Sequence, residues 1–224
     1  VIPKIIWQTH ENKYEDLLPF QKNVINTWKN LNPGWKYNYV SAEERLRDIQ
    51  EYDDFLYECY KLCSGINQAD LWRLVALYKN GGFYADMDSV CTMSLDDVIV
   101  QNYNNQDMIC SPPGFQRGPQ LINNSNFAAV KNSKIVKTII DKSIEECKKI
   151  IESKNFDVFV NPGAIVLTNF SNTAMKNKND IFFQYKYFSH SRDYQSTFNK
   201  SYCIDYNGQT VLYSDIAKEK GWTI

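Results

Sequence analysis

The 224-residue chain is 43% hydrophobic and 14% aromatic, with a formal net charge of -1. That apolar content excludes a disordered chain, and the absence of a basic excess excludes sequence-independent nucleic-acid binding. No run of roughly 18 apolar residues occurs, so no transmembrane helix is encoded.

The length fits one compact domain, residues 1–224. Val1-Ile2-Pro3-Lys4 runs straight into an apolar segment, so no secretory signal is expected. Lys4–Gln8 reads as a buried first strand. Leu17–Leu31 reads as an amphipathic helix with Phe20, Val24 and Trp28 on one face, stopped by Asn32-Pro33-Gly34. Trp35–Val40 alternates as a second strand does, and Ser41 with Glu44 forms a capping-box pattern that opens another helix. This strand–helix–strand start predicts an α/β domain with parallel neighbours.

A further helix is expected over Asn67–Lys79, ended by Gly81-Gly82, because glycine takes the left-handed conformation at little cost. Phe83-Tyr84-Ala85 is then a short strand. Ser89–Val100 reads as irregular or strand structure, Asp107–Cys110 as a strand and Ser111–Gly118 as a loop. Ser133–Glu152 is a long helix, Pro162-Gly163 opens another, and Ile181–Phe188 is a late strand. Cys59, Cys63, Cys91, Cys110, Cys147 and Cys203 form no Cys-x-x-Cys pair. They read as reduced, mostly buried thiols of a cytosol-like compartment.

The chemistry concentrates in one stretch. Asp70 and Arg73, three apart on a helix, share a face; the bland reading of such a pair is a surface ion pair of little value. Asp86 and Asp88 alternate at the end of a strand and point to one side, at the sheet edge where α/β domains collect ligands. Two carboxylates together with diphosphate oxygens suit Mg²⁺ or Mn²⁺. An isolated Asp-x-Asp triplet is otherwise a solvated loop.

The helix with Asp70 and Arg73, followed by Gly81-Gly82-Phe83-Tyr84-Ala85-Asp86-Met87-Asp88, resembles the glycosyltransferases that carry the Asp-x-Asp (DXD) sugar-binding motif. That family includes α-1,6-mannosyltransferases, capsular polysaccharide transferases and, more distantly, clostridial glucosylating toxins. Ile2-Pro3-Lys4-Ile5-Ile6-Trp7-Gln8-Thr9 resembles its first strand. Asn161-Pro162-Gly163-Ala164 is similar to a later Gly-Pro-Gly-Ala segment, with Asn161 in place of the first glycine.

The resemblance implies an α/β, GT-A-like domain with a mixed, mostly parallel central sheet flanked by helices. Its nucleotide-sugar half would cover about residues 1–110, and its acceptor-side half about 111–224. It implies a metal-dependent hexosyltransferase that moves a hexose or deoxyhexose from a UDP- or GDP-sugar to a hydroxyl of a glycan or glycoprotein, with retention. Asp86 and Asp88 would be the catalytic and metal-binding pair, with Mn²⁺ or Mg²⁺ as cofactor, Asp88 the direct ligand and Asp86 contacting the ribose or a metal-bound water.

By the same resemblance Trp7 stacks on or flanks the nucleobase, plain core packing being the alternative. Thr9, Asp70, Arg73 and Tyr84 belong to the donor pocket. His190 is the candidate third metal ligand, ahead of Ser196-Thr197-Phe198, where relatives carry Trp in place of Phe198; a structural histidine is the alternative. Gly221-Trp222 is a second candidate tail. Asn123, Asn124 and Asn126 are loop residues or sugar-binding amides. The chain resembles stand-alone bacterial or viral transferases, which implies a cytoplasmic location rather than a Golgi anchor. Two other readings are a haloacid-dehalogenase-type phosphatase with Asp86 as nucleophile, and a non-catalytic nucleotide-sugar-binding module.

Overall fold

The computed structural model describes residues 1–63, 65–101, 103, 105–110, 124–153, 166, 169–170, 172–173, 188–190 and 203–205. β1 (Ile5–Thr9) follows Pro3, and after a 3-10 turn at Tyr14–Asp16 comes α1 (Pro19–Leu31). Pro19 suits a first helical turn, where its missing N–H has no partner to lose. α1 buries Val24, Ile25 and Trp28, while Phe20 is only half-buried. β2 (Lys36–Val40) leads into α2 (Ala42–Gln50) through the expected capping box: the Glu44 carboxylate accepts from the Ser41 backbone N–H at 2.8 Å.

Sequence reasoning missed α3 (Asp54–Leu62). Its start is signalled locally, since Asp53 accepts from the Leu56 N–H at 2.8 Å as an N-cap. Its buried residues, Leu56, Cys59 and Tyr60, make too short a stripe to stand out against the surrounding charge.

α4 (Gly65–Asn80) buries every residue from Leu71 to Leu77, so it is enclosed on all sides rather than amphipathic. It stops where expected: Gly81 has φ +70° and Gly82 φ +113°. A Cβ on Gly82 would stand 2.5 Å from the Ile5 carbonyl oxygen, and one on Gly81 2.6 Å from the Pro3 ring. Only glycine meets both the dihedrals and the close approach.

β3 (Gly82–Ala85) and β4 (Ser89–Cys91) follow, then a π-helical turn at Asp96–Val100. β5 (Met108–Cys110), β6 (Asn126–Ala129), α5 (Lys134–Ser153), β7 (Phe188–His190) and β8 (Cys203–Asp205) complete the described elements.

The main sheet has the order β2-β1-β3-β6-β5. β1 pairs parallel with β2 and β3, while β6 is antiparallel to both β3 and β5. The sheet is therefore mixed as expected, β6 being the reversed strand. One face packs on α2, α3, α4 and α5 through Ile49, Leu56, Trp72, Val75, Tyr84 and Ile139. The other packs on α1 and the π turn through Ile6, Trp28, Phe83 and Ile99. A second sheet, β4-β8-β7, sits at the exit of β3.

Cys59, Cys63, Cys91, Cys110 and Cys147 are buried free thiols. Among the described residues no helix is long and apolar enough to cross a membrane. The 111–118 loop, the helix start at Pro162-Gly163, the Asn161–Ala164 segment, residues 181–187, Asn123, and the Ser196–Phe198 and Gly221-Trp222 tails lie outside the described residues.

Candidate active site

Asp70 and Arg73 sit in the first half of α4, and because α4 runs antiparallel to β3, that half lies beside the strand's C-terminal end. Arg73 is 4% exposed. Its Nη2 is 2.9 Å from Asp70 Oδ1 and its Nη1 3.2 Å from Asp86 Oδ1. It also donates to the Asn124 carbonyl at 2.7 Å and to the Ala69 carbonyl at 3.2 Å. The guanidinium lies over the Tyr84 ring, 4.4 Å from its centroid. This is no surface pair: one cation is held between two carboxylates in a site with little water.

Tyr84 donates its hydroxyl to Asp86 Oδ1 at 2.6 Å. Burial pushes the Tyr84 phenol well above its usual pKa, so the group remains a proton donor. Asn124 donates its side-chain N–H to Asp70 Oδ1 at 2.9 Å. Asp70 and Asp86 thus each present one oxygen fixed by two protein donors.

The Asp86–Asp88 turn is fixed through its backbone as well. The Asp86 N–H donates to the Ser125 carbonyl at 2.8 Å, and the Asp86 carbonyl accepts from the Ser89 N–H at 3.0 Å. Asp88 Oδ1 is buried. Arg73 is thus shared by the carboxylates of Asp70 and Asp86, with Asp88 two residues further along the turn.

The other predicted residues are placed differently. Trp7 is half-buried, donates its indole N–H to the Gly81 carbonyl at 3.0 Å, and meets Trp72 edge-on with centroids 6.2 Å apart. It lines a cavity of about 490 Å³ with Asn38, Val40, Asp48, Val75 and Ala76; none of Asp70, Arg73, Asp86 and Asp88 lines it. The Thr9 hydroxyl donates to the Val40 carbonyl at 2.6 Å and accepts from Arg45 Nη1 at 2.7 Å.

The backbone of His190 lies opposite Asp205 on β8, and Asp205 lies opposite Ser89, the residue after Asp88. Among the described residues no group of three or more His, Cys, Asp or Glu side chains could hold a metal ion.

Sequence reasoning overlooked two residues and misread a third. Gln8, fully buried, donates to the Asp86 carbonyl at 3.0 Å. Arg45, also fully buried, joins Thr9, the His10 carbonyl at 3.1 Å, the Tyr60 hydroxyl at 3.3 Å and the Glu11 carboxylate. Asn124, weighed only as loop or sugar-binding amide, instead locks Asp70. Arg45 carried a signal: it stands four residues before Ile49, on the stripe α2 buries.

Residues 20–105 match the family model described as a glycosyltransferase sugar-binding region containing the DXD motif. Over 103 residues the chain is 34% identical to inositol phosphoceramide mannosyltransferase 3 of Schizosaccharomyces pombe, which covers 44% of this chain and 27% of that protein. Over 115 residues it is 28% identical to the initiation-specific alpha-1,6-mannosyltransferase of Candida albicans, covering 48% of this chain and 28% of that protein. The chain thus spans about a quarter of the length of the curated relatives it matches.

Among solved structures, the PaToxG glycosyltransferase superposes with TM-score 0.54 and 13% identity, over 79% of this chain and 70% of that one. The galactosyltransferase LgtC, solved with donor and acceptor sugar analogues, superposes with TM-score 0.53 and 10% identity, over 96% and 95% of the two chains. The fold is that of the GT-A glycosyltransferases. The phosphatase and binding-module readings find no support in these comparisons.

Proposed function

We propose that the chain, whose residues 20–105 match the glycosyltransferase sugar-binding region containing the DXD motif, transfers a hexose or deoxyhexose from a nucleoside-diphosphate sugar to a glycan hydroxyl. The observation that supports this reading most directly is the convergence of Asp70, Arg73, Tyr84, Asn124 and Asp86 at the exit of β3. Mannose is the sugar favoured by the two mannosyltransferase relatives.

In this reading Asp88 and Asp86 hold a divalent cation, Mn²⁺ or Mg²⁺. The fit rests on the donor set: two hard carboxylates two residues apart at the exit of β3, one of them with a buried oxygen. Two carboxylates with substrate phosphates are a usual shell for such ions. When bound, the cation offsets charge on the departing nucleoside diphosphate. His190, two strands from Ser89 in the second sheet, is the candidate for a further ligand.

The chain's own residues then orient the donor. Asp70 has one oxygen fixed by Arg73 and Asn124, which aims the other toward donor hydroxyls. Arg73 sets the spacing of the Asp70 and Asp86 carboxylates. The resemblance of the first strand supports the nucleobase resting against the Trp7 ring. Thr9, bonded to Arg45, fixes the end of the strand beside it. Retention of anomeric configuration and one catalytic domain over 1–224 complete the proposal.

The test is nucleoside-diphosphate release from a panel of UDP- and GDP-sugars with Mn²⁺, on wild type and Asp88→Asn. Metal-dependent release lost in the variant is the expected result. Release unaffected by chelator, or equal in the variant, would overturn the metal role. No release from any donor would return the choice to a binding module.

A further inference from the structure

β1 and β3 are hydrogen-bonded neighbours only part of the way. Their register covers Ile6–Phe83 and Trp7–Tyr84, whereas β1 stays paired with β2 as far as Thr9–Val40. Beyond Tyr84 the two strands part, just below the Asp86–Asp88 turn. A crevice between parting parallel strands is where open α/β sheets take ligands, but it also leaves the turn without ladder support from β1.

One side chain spans that gap. Gln8 is fully buried, and its Nε2 donates to the Asp86 carbonyl at 3.0 Å. Its Oε1 accepts from the Tyr37 hydroxyl at 2.8 Å. The phenol can only donate to this oxygen, so it fixes which end of the amide faces Asp86. Burial, the largest effect, raises the Tyr37 pKa well above its usual value and keeps that donor protonated.

The relay therefore runs across three adjacent strands, from Tyr37 on β2 through Gln8 on β1 to the Asp86 peptide after β3. The same carbonyl closes the turn through the Ser89 N–H at 3.0 Å, and the Asp86 N–H is bonded to Ser125 at 2.8 Å. Arg73 and Tyr84 hold the Asp86 carboxylate from the α4 face. Gln8 holds its peptide from the face where Ile6 packs. The direction in which Asp88 leaves the turn depends on that peptide plane.

We infer that Gln8, oriented by Tyr37, is a positioning residue that sets the Asp86–Asp88 turn for cation binding. The inference rests on the metal role proposed above. Partners one bond behind metal ligands commonly contribute about 10- to 100-fold in metal affinity.

The test titrates Mn²⁺ alone, followed by loss of the free-ion electron paramagnetic resonance signal, with a thermal melt of every protein. Wild type, Gln8→Met, Tyr37→Phe and Asp88→Asn are compared. Gln8→Met keeps length and burial but loses both hydrogen bonds; it should weaken Mn²⁺ binding by about 10- to 100-fold. Tyr37→Phe leaves the amide in place but unfixed, and should weaken binding in the same direction by a smaller factor.

A Gln8→Met protein that melts cooperatively and binds Mn²⁺ as wild type does would overturn the inference and leave the metal reading intact. If Gln8→Met does not fold, Tyr37→Phe decides, and unchanged Mn²⁺ affinity there overturns it equally. Wild type binding Mn²⁺ no better than Asp88→Asn would overturn the metal reading and the inference together.

Discussion

Arg73 and Asp86 come from different elements and meet at 3.2 Å, with side chains 5% and 28% exposed. The same guanidinium holds Asp70 at 2.9 Å, so removing it strands two carboxylates rather than one. Breaking a buried pair from one side costs about 3–5 kcal/mol, because the remaining charge is uncompensated. Arg73→Ala should therefore lower unfolding free energy by about that amount in urea titrations, and Asp70→Asn added to it should restore part of the loss. An Arg73→Ala protein as stable as wild type would show that the network is not what holds the site.

Tyr84→Phe isolates the hydroxyl. The ring stays beneath Arg73 and against Trp72 and Phe127, while the 2.6 Å bond to Asp86 is lost. A hydrogen bond to a charged group is worth about 1.5–3 kcal/mol, and Asp86 regains part of that from water because it is partly exposed. The expected stability loss is about 1–2 kcal/mol, with a larger proportional rise in donor KM than fall in kcat. Unchanged KM with reduced stability would confine Tyr84 to the fold.

The contrast between these residues shows what a sequence discloses. The α4–Gly81-Gly82–β3 delivery of Asp86 and Asp88 was legible because each step is local: a helix, a left-handed stop, a strand of alternating side chains. The Asp70–Asn124 bond joins residues 54 positions apart, and no periodicity encodes it. Gln8 was hidden for a related reason. Its neighbours Ile6 and Trp7 mark a buried strand, but which polar group a buried amide finds depends on how β1 and β3 part. The same limit hid how Arg73, placed in the donor pocket by resemblance, is held, because its bond to Asp86 joins α4 to the end of β3.

Arg45 and Glu11 form an asymmetric pair, the arginine side chain fully buried and the glutamate 53% exposed. A Cβ on Gly65 would stand 2.8 Å from Glu11 Oε1, so the pair lies against the first turn of α4. Arg45→Leu leaves Thr9, His10 and Tyr60 without their shared donor, and should cost about 1–3 kcal/mol in urea titration for each acceptor left unsatisfied. Glu11→Gln should cost less than about 1 kcal/mol, because solvent screens its half of the pair. Equal costs would mean that Arg45 matters only through Glu11.

Alkaline pH probes the buried acids collectively. Burial raises Tyr37 and Tyr84 well above the usual phenol value and pushes Tyr52 to about 12. It also pushes the Cys63 and Cys91 thiols up to about 12. In the unfolded chain these groups ionise near their ordinary values, about 8.5 for thiols and about 10 for phenols. Above those values the unfolded state holds fewer protons than the folded state, so unfolding free energy falls as pH rises. The contribution is fully present below about pH 8.5, declines above it, and declines more steeply above about pH 10. Urea midpoints measured from pH 7 to 11 should follow that course. Tyr37→Phe and Tyr84→Phe should each flatten the fall above pH 10 and leave the thiol portion between 8.5 and 10 unchanged. A midpoint constant to pH 11 would mean that these phenols and thiols ionise as readily in the folded chain as in the unfolded one.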